Sequence, residues 1–144
     1  MVTVGQILKV KGSDVWWVAP DATVYDALQK MADKDIGALL VKDGDALIGI
    51  FSERDYARKL VLVGKTSMGT PVQEVMTPDV ICVTPNLSPF DCMELMTDGR
   101  FRHLPVRDGE AVIGVISIGD VVKAIISDQE FTIQQLENYI SGER

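Results

Sequence analysis

The feature that most constrains the fold is an internal repeat. When the 144-residue chain is shifted by 65 positions, Val18 aligns with Val83, and the match continues without a gap to Arg58 against Lys123. The identical pairs include Pro20/Pro85, Asp26/Asp91, Met31/Met96, Asp33/Asp98, Leu39/Leu104, Val41/Val106, Asp43/Asp108, Gly44/Gly109, Ile48/Ile113, Gly49/Gly114, Ser52/Ser117 and Asp55/Asp120. Chance does not keep one register over such a length. The chain is therefore a tandem duplication, and its fold must contain two similar halves.

Each copy has the same order of predicted elements, β-α-β-β-α. The first helix begins with a capping box, in which a hydroxyl residue is followed three residues later by an acid: Thr23 with Asp26, and Ser88 with Asp91. Apolar residues then recur at helical spacing, which predicts one core-facing stripe on each helix. An Asp-Gly turn joins the next two strands. The predicted strands are Asp14–Val18, Ala38–Val41 and Ala46–Phe51, then Val80–Val83, Leu104–Val106 and Ala111–Ile116, and the second helices begin at Asp55 and Asp120.

Charge and composition exclude several classes of protein. The formal net charge is −7 and the sequence pI is about 4.6. Nucleic acids and anionic membrane surfaces are bound by clustered basic residues, so neither is expected as a partner. The first residues lack the pattern of a signal peptide, and no uncharged apolar run approaches the ~20 residues that span a bilayer. The two cysteines cannot form a disulfide framework, which favours a reducing cytoplasm.

Two segments lie outside the aligned copies. Residues 62–71 are rich in Gly, Ser and Thr, a composition typical of a linker. Four apolar residues of the tail recur at near-helical spacing (Phe131, Ile133, Leu136 and Ile140), which predicts a C-terminal amphipathic helix. We therefore expect a first domain over residues 7–65, a second domain over 72–128 and a helical tail over 129–144.

A Gly-x-x-Ser-x-x-Asp motif follows the predicted hairpin in both copies, as Gly49–Asp55 and as Gly114–Asp120. Two other runs, Met76-Thr-Pro78 and Arg100-Phe-Arg-His-Leu-Pro-Val106, belong to the same pattern. With these motifs in register, nearly the whole chain resembles a tandem pair of CBS domains, the Bateman module. The resemblance implies an α+β fold in which two β-α-β-β-α repeats pack with pseudo-twofold symmetry, followed here by a C-terminal helix. We expect the free-standing kind of module, since the copies leave no room for an attached enzyme or channel.

The resemblance also implies two grooves between the copies, each able to bind an adenosine nucleotide. In that family the motif Asp accepts hydrogen bonds from both ribose hydroxyls, as an acceptor-only carboxylate can, and the motif Ser lies near the ribose or phosphate. Asp120 with Ser117 would define one groove, and Asp55 with Ser52 the other. The opposite copy walls the adenine pocket. By position, those walls are Lys11, Trp16, Ile36 and Gly37 for the Asp120 groove, and Met76, Ile81, Phe101 and Arg102 for the Asp55 groove.

An AMP-like ligand (AMP, ADP or ATP) is favoured, and NAD or NADH is the alternative because its adenylate half presents the same groups. Arg102 and His103 stand where the family often places phosphate contacts, and Arg54 is a second phosphate candidate. For each of these basic residues, a structural role is the alternative. Cations beyond a helix C-terminus stabilise its dipole, and Arg54 can be a solvated charge at a helix start. For Trp16, stacking on adenine and plain core packing are both open.

The sequence shows no pattern typical of an enzyme. Cys82 and Cys92 are expected to be small buried hydrophobes, since no base and orienting residue accompany them. His103 is the only histidine and cannot hold a metal ion by itself. Neither a phosphate-binding P-loop nor a nucleophile elbow is present. We therefore expect no catalytic activity.

The hypothesis that unites these points is a cytoplasmic regulatory protein in signal transduction. It would bind an adenosine nucleotide between its repeats and present an altered surface to a protein partner. The alternative is a ligand-free protein-interaction scaffold, in which both Ser–Asp pairs only cap helices. A homodimer is also expected, because the family commonly dimerises and the apolar set after Asp120 is too broad for one buried stripe. That set is Val121, Val122, Ala124, Ile125 and Ile126.

Overall fold

The computed structural model describes residues 2–142 and shows a mixed α+β fold, which confirms the predicted class. Its helices and strands follow the repeat closely. In chain order they are α1 (Val4–Lys11), β1 (Trp17–Val18), α2 (Val24–Lys34), β2 (Ala38–Asp43), β3 (Ala46–Ser52), α3 (Glu53–Asp55) continued by a π-helical segment (Tyr56–Val61), a 3₁₀ turn (Val72–Glu74), α4 (Pro89–Gly99), β4 (His103–Asp108), β5 (Ala111–Ser117) and α5 (Ile118–Ser141).

The described chain forms two compact units that do not simply follow the order of the repeats. The Asp55 unit is the continuous stretch Val15–Val80, whereas the Asp120 unit joins residues up to Asp14 with residues from Ile81 onward. Helix α1 thus packs with the second repeat. Backbone hydrogen bonds fix this arrangement, because the amide of Val4 donates to the carbonyl of Leu87 at 2.9 Å. In the Asp55 unit, the amide of Val72 donates in the corresponding way to Ala22, at 2.7 Å.

Each unit is centred on one antiparallel hairpin, β2–β3 or β4–β5. Both hairpins turn through two residues, and both have a register shift at the same place, after Val41 and after Val106. The first turn residue is glycine in each case. Gly44 has φ 61° and Gly109 has φ 65°, and only glycine adopts this left-handed conformation without a steric cost. The Asp-Gly turn signals of the sequence therefore define the two hairpins.

The predicted first strands are much shorter than expected. Of Asp14–Val18 only Trp17–Val18 is a strand, paired parallel with β2, and of Val80–Val83 only Val83 makes a bridge, to Val106. Both segments end where the sequence places them and are shortened at their N-terminal ends. The residues before Trp17 and before Val83 lie outside the pairing with β2 and β4, so no ladder extends the strands in that direction. The prediction of full-length strands here was wrong.

Two apolar clusters, one in each unit, use equivalent positions of the repeat. Helices α2 and α4 bury their predicted stripes against the hairpins. The equivalent buried pairs are Ala27/Cys92, Met31/Met96, Leu39/Leu104, Val41/Val106 and Phe51/Ile116. Helix α1 adds Val4, Ile7 and Leu8 to the cluster of the Asp120 unit. The two repeats thus share their core positions, with identical side chains in three of these five pairs.

The last helix departs from the expected pattern. The tail from Phe131 to Ile140 is helical as predicted, but it is the second half of α5 and not a separate helix. Residues 127–130, Ser-Asp-Gln-Glu, contain neither glycine nor proline, so nothing stops the helix before Gly142 adopts its left-handed C-cap conformation. Phe131, Ile133 and Leu136 are exposed along this second half.

Two strand glycines should be essential for packing inside the units. A Cβ atom at Gly114 would lie 2.6 Å from Cδ2 of Leu8, and one at Gly49 would overlap Sδ of Met76 and lie 3.1 Å from the carbonyl oxygen of Thr77. We expect Gly114→Ala and Gly49→Ala each to lower the free energy of unfolding by about 1–3 kcal/mol. Denaturant titration followed by circular dichroism measures this change.

The matched control is Gly119→Ala, in the first turn of α5. Its added Cβ would meet only Oγ of Ser117, at 3.6 Å, and alanine favours a helix over glycine. This variant should be as stable as the original protein or slightly more stable. Equal stability of Gly114→Ala and Gly119→Ala would contradict the close packing of α1.

Candidate functional site

The Asp120 site lies where strand β5 becomes helix α5. Ser117 is the N-cap of α5, and its Oγ accepts a hydrogen bond from the Asp120 amide at 3.2 Å. The Asp120 carboxylate returns the interaction, accepting the Ser117 amide at 2.8 Å. This reciprocal capping box satisfies two backbone amides at the helix start. It also fixes the position of the carboxylate that the resemblance assigns to ribose.

Lys11, the last residue of α1, contacts this carboxylate directly. Its Nζ donates to Oδ2 of Asp120 at 2.6 Å and to the carbonyl of Val115 at 2.7 Å. Burial by itself would raise the pKa of Asp120. The hydrogen bonds from Lys11 and from the Ser117 amide outweigh that effect and hold the pKa of Asp120 below its ordinary value. Asp120 is therefore a carboxylate at neutral pH.

Arg102 and His103 lie near the Asp120 carboxylate and Lys11. The carbonyl of Arg102 accepts a hydrogen bond from the Ile118 amide at the start of α5, at 2.8 Å. Arg102 is an exposed residue. His103 pairs with Ser117 across β4 and β5. Burial, then the charges of Lys11 and Arg102, lower the pKa of His103 in spite of Asp120 nearby. His103 is accordingly a neutral hydrogen-bonding group at pH 7, and Arg102 and Lys11 supply the positive charge.

The Asp55 site has the same backbone but different partners. Ser52 caps α3, and its amide and hydroxyl both donate to Oδ2 of Asp55, at 3.0 and 3.1 Å. The hydroxyl of Thr77 and the ammonium of Lys59 both reach Oδ1, each at 3.0 Å. The carbonyl of Gly37 accepts the Glu53 amide at 3.2 Å, matching the role of Arg102 in the other unit. Asp55 is buried among these donors.

The other predicted site residues lie at several places within the units. Trp16, Ile36 and Met76 pack against the apolar cluster of the Asp55 unit, and Nζ of Lys34 lies 4.2 Å from the Trp16 ring centre. Phe101 packs against the cluster of the Asp120 unit. The remaining two are exposed: Arg54 in α3 and Ile81 at the start of the second repeat.

Sequence reasoning missed Lys59 and Thr77 as partners of Asp55. The spacing of Asp55 and Lys59 is i,i+4, which places an acid and a base on the same helical face and could have indicated the pair. The run Met76-Thr-Pro78 gives no sign of the contact that Thr77 makes. Its contact depends on the pairing of Thr77 with Ile50, which brings together residues far apart in sequence.

Two further observations concern the described residues alone. No helix among residues 2–142 combines the length and apolar character needed to cross a membrane. Over the same range, no group of three or more His, Cys, Asp or Glu side chains is arranged to hold a metal ion.

The family model of the CBS domain matches residues 4–62 and 72–127. The chain belongs to the CBS-domain family. Among its relatives is the mitochondrial CBS domain-containing protein CBSX3 of Arabidopsis thaliana, 42% identical over 149 residues, a match that covers 97% of this chain and 72% of that protein. The expected pair of CBS repeats is thereby confirmed.

Solved CBS structures share the fold. A CBS-domain protein of Burkholderia ambifaria MC40-6, provisionally assigned to signal transduction, is 53% identical with a TM-score of 0.85, covering 89% of this chain and 96% of that one. The CBS domain pair of protein MJ0100, solved with 5'-methylthioadenosine and S-adenosyl-L-methionine, has a TM-score of 0.74. It is 21% identical, covering 89% of this chain and 98% of that one, and this likeness establishes the fold alone.

His103 should make the stability of this CBS protein depend on pH. Because the pKa of His103 is lowered in the folded state, the unfolded chain takes up the proton first as pH falls through the ordinary value of 6.5. Stability is therefore expected to fall between about pH 7.5 and 5.5. His103→Gln should reduce that loss, measured as the change in melting temperature across this range. Identical pH profiles of the two proteins would contradict the assignment.

Proposed function

We propose that this CBS-domain protein is a regulatory module that binds an adenosine nucleotide at Asp120. The observation that carries the proposal is the set of polar groups around the start of α5. An ionised carboxylate, fixed by a capping box, lies beside Lys11 and the residue pair Arg102–His103. A ribose diol would donate to the carboxylate of Asp120. A phosphate would be held by the guanidinium of Arg102 and the ammonium of Lys11.

An AMP-like nucleotide (AMP, ADP or ATP) fits this set best, because one ribose and one or more phosphates use every charged group named. NAD or NADH is the alternative ligand, since it carries the same adenylate half. The complex of protein MJ0100 with two adenosine compounds supports adenosine recognition by this fold. The provisional assignment of the Burkholderia protein to signal transduction supports the same place for this chain, in which the bound nucleotide would alter a surface offered to a protein partner.

The proposal assigns binding and no catalysis. Burial raises the pKa of the Cys82 thiol, and burial together with Asp91 raises the pKa of Cys92 to about 11. Both shifts oppose formation of a nucleophilic thiolate. Cysteines that are not in disulfides suit a reducing compartment, for which we propose the cytoplasm; the Arabidopsis relative is mitochondrial.

A second function has one observation in its favour. The Ser–Asp pairs do cap α3 and α5, as a ligand-free interaction scaffold requires. The two functions differ in absorbance at 260 nm, since a nucleotide-binding protein can carry its ligand through purification. They also differ in the response of the stripped protein to nucleotides.

The nucleotide site is tested by thermal shift. At a hundredfold excess over Kd, AMP should stabilise the folded protein by about 2.7 kcal/mol, a rise in melting temperature of roughly 5–10 °C. Asp120→Ala should abolish most of this rise. Asp91→Ala is the matched control, because Asp91 occupies the same capping-box position in α4, away from the proposed ligand. It should lose about 1 kcal/mol of stability and keep the AMP response.

The phosphate contact is tested by comparing AMP with adenosine. Arg102→Ala should weaken AMP far more than adenosine, because only AMP carries the phosphate. If AMP, ATP and NAD all leave the melting temperature of nucleotide-free protein unchanged at millimolar concentration, the nucleotide proposal fails and the scaffold function replaces it.

The proposal includes a homodimer, formed in part by α5. Val122 and Ile126 are exposed apolar residues four positions apart on this helix, which places them on one face. Light scattering is expected to give about twice the chain mass of 15.8 kDa at micromolar concentration. Ile126→Glu should shift the particle towards the monomer. A monomer for the original protein would contradict the dimer.

A further inference from the structure

The two motif carboxylates differ in how fully their lone pairs are used. Asp55 accepts from the Ser52 amide and hydroxyl, the Thr77 hydroxyl and the Lys59 ammonium. A carboxylate offers about four lone-pair sites, so these four donors fill it. Its side chain is only 9% exposed. A ribose diol needs two acceptor positions and would have to displace two of these donors.

The donors to Asp55 are also tied to one another. Nζ of Lys59 donates to Oγ1 of Thr77 at 3.2 Å and to the carbonyl of Met76 at 3.4 Å. The backbone of Thr77 is paired with Ile50 through two hydrogen bonds, at 2.8 and 3.0 Å. The group therefore attaches the segment after the 3₁₀ turn to β3 and α3. Removing one member would leave a buried charge without its full set of partners, which is costly.

Asp120 lacks the equivalents of both donors. The backbone bonds of Val4 to Leu87 and of Val72 to Ala22 align Val4 with Val72, so Thr77 corresponds to Lys9, which has no hydroxyl, and Lys59 is matched by Ala124 at the 65-residue shift. Alanine has no side chain that can donate. The cation on Asp120 comes instead from Lys11, at the end of α1. The two lysines are similarly exposed, but the side chain of Asp120 is 20% exposed against 9% for Asp55, so water reaches the Asp120 carboxylate more readily.

A partly exposed lysine–carboxylate pair contributes little to stability and is readily exchanged. Lys11 has a long flexible stem, and its ammonium bonds the Val115 carbonyl and Asp120, whereas the ammonium of Lys59 also bonds Thr77, a second donor to the Asp55 carboxylate. A ribose hydroxyl can take the place of Lys11 on Asp120, and the released ammonium can pair with a phosphate.

We propose that the duplicated motif has divided its roles: Asp55 is a structural tie, and Asp120 alone takes the nucleotide, with Lys11 as the cation that the ribose displaces. The nucleotide part of this inference rests on the proposed function. The structural role of Asp55 rests on the contacts of Asp55 alone. One chain should bind one adenosine nucleotide.

The first measurement is stoichiometry. Isothermal titration of nucleotide-free protein with AMP should give one site per chain, lost in Asp120→Ala. Two sites per chain, or a site that persists in Asp120→Ala, would overturn the division of roles while leaving the nucleotide function intact. Absence of any binding would instead overturn the proposed function and, with it, the one-site claim.

The second measurement rebuilds the Asp55 pattern at Asp120. In Ala124→Lys, the new ammonium lies i,i+4 from Asp120, as Lys59 does from Asp55, and should occupy the carboxylate. AMP affinity is expected to fall about tenfold, since a hydrogen bond to a charged group must be given up. Ala124→Met is the matched control for size and should bind AMP normally. Equal affinity in the two variants would overturn the argument.

The third measurement tests the structural tie without any ligand. Thr77→Val and Lys59→Met each remove a donor to Asp55 and should lower the melting temperature. Lys11→Met removes the donor to Asp120 and should lower it much less. If Thr77→Val and Lys59→Met have the same melting temperature as the original protein, Asp55 is not a structural tie. This readout decides the structural half of the inference whatever the outcome with AMP.

Discussion

The reciprocal capping box at the strand-to-helix junction is the interaction on which the site depends. A helix start leaves backbone amides without partners, and in each repeat a serine hydroxyl and an aspartate carboxylate satisfy them. The same contacts hold the carboxylate in one place, because its rotamer is fixed by the amide it accepts. Local helix stability and placement of a ligand-binding group are therefore achieved by the same two side chains. This is why the motif supports both a structural and a functional role.

Much of the fold could be predicted, because the signals that determine it are local and occur twice. The capping residues Ser88 and Asp91, and the turn glycines Gly44 and Gly109, lie where the sequence places them. Failures occurred where an element depends on distant neighbours. The short strand at Trp17 is limited by how much of β2 it reaches. The continuity of α5 is a different case, because the absence of glycine and proline at residues 127–130 is a local signal that predicts it.

The site was less predictable than the fold for the same reason. Ser117 and Asp120 are close in sequence, so their contact follows from helix capping. The contact of Lys11 with Asp120 spans 109 positions and depends on α1 packing with the second repeat. No local pattern records that packing, because the aligned copies begin only at Val18. Duplication supplied one backbone twice, and later changes in the surrounding side chains gave each carboxylate its own electrostatic environment.

The discontinuity of the Asp120 unit has a consequence for synthesis of the chain. Helix α1 leaves the ribosome before either repeat, yet the carbonyl that Lys11 contacts, that of Val115, is 104 residues further along. The continuous Val15–Val80 unit can fold in the meantime, as N-terminal units generally do during translation. Until the chain from Ile81 onward emerges, Val4, Ile7 and Leu8 lack their apolar partners and stay accessible to water and to chaperones. Helix α1 is thus translated before the Val15–Val80 unit but packed after it, and it stays exposed on the nascent chain while that unit folds.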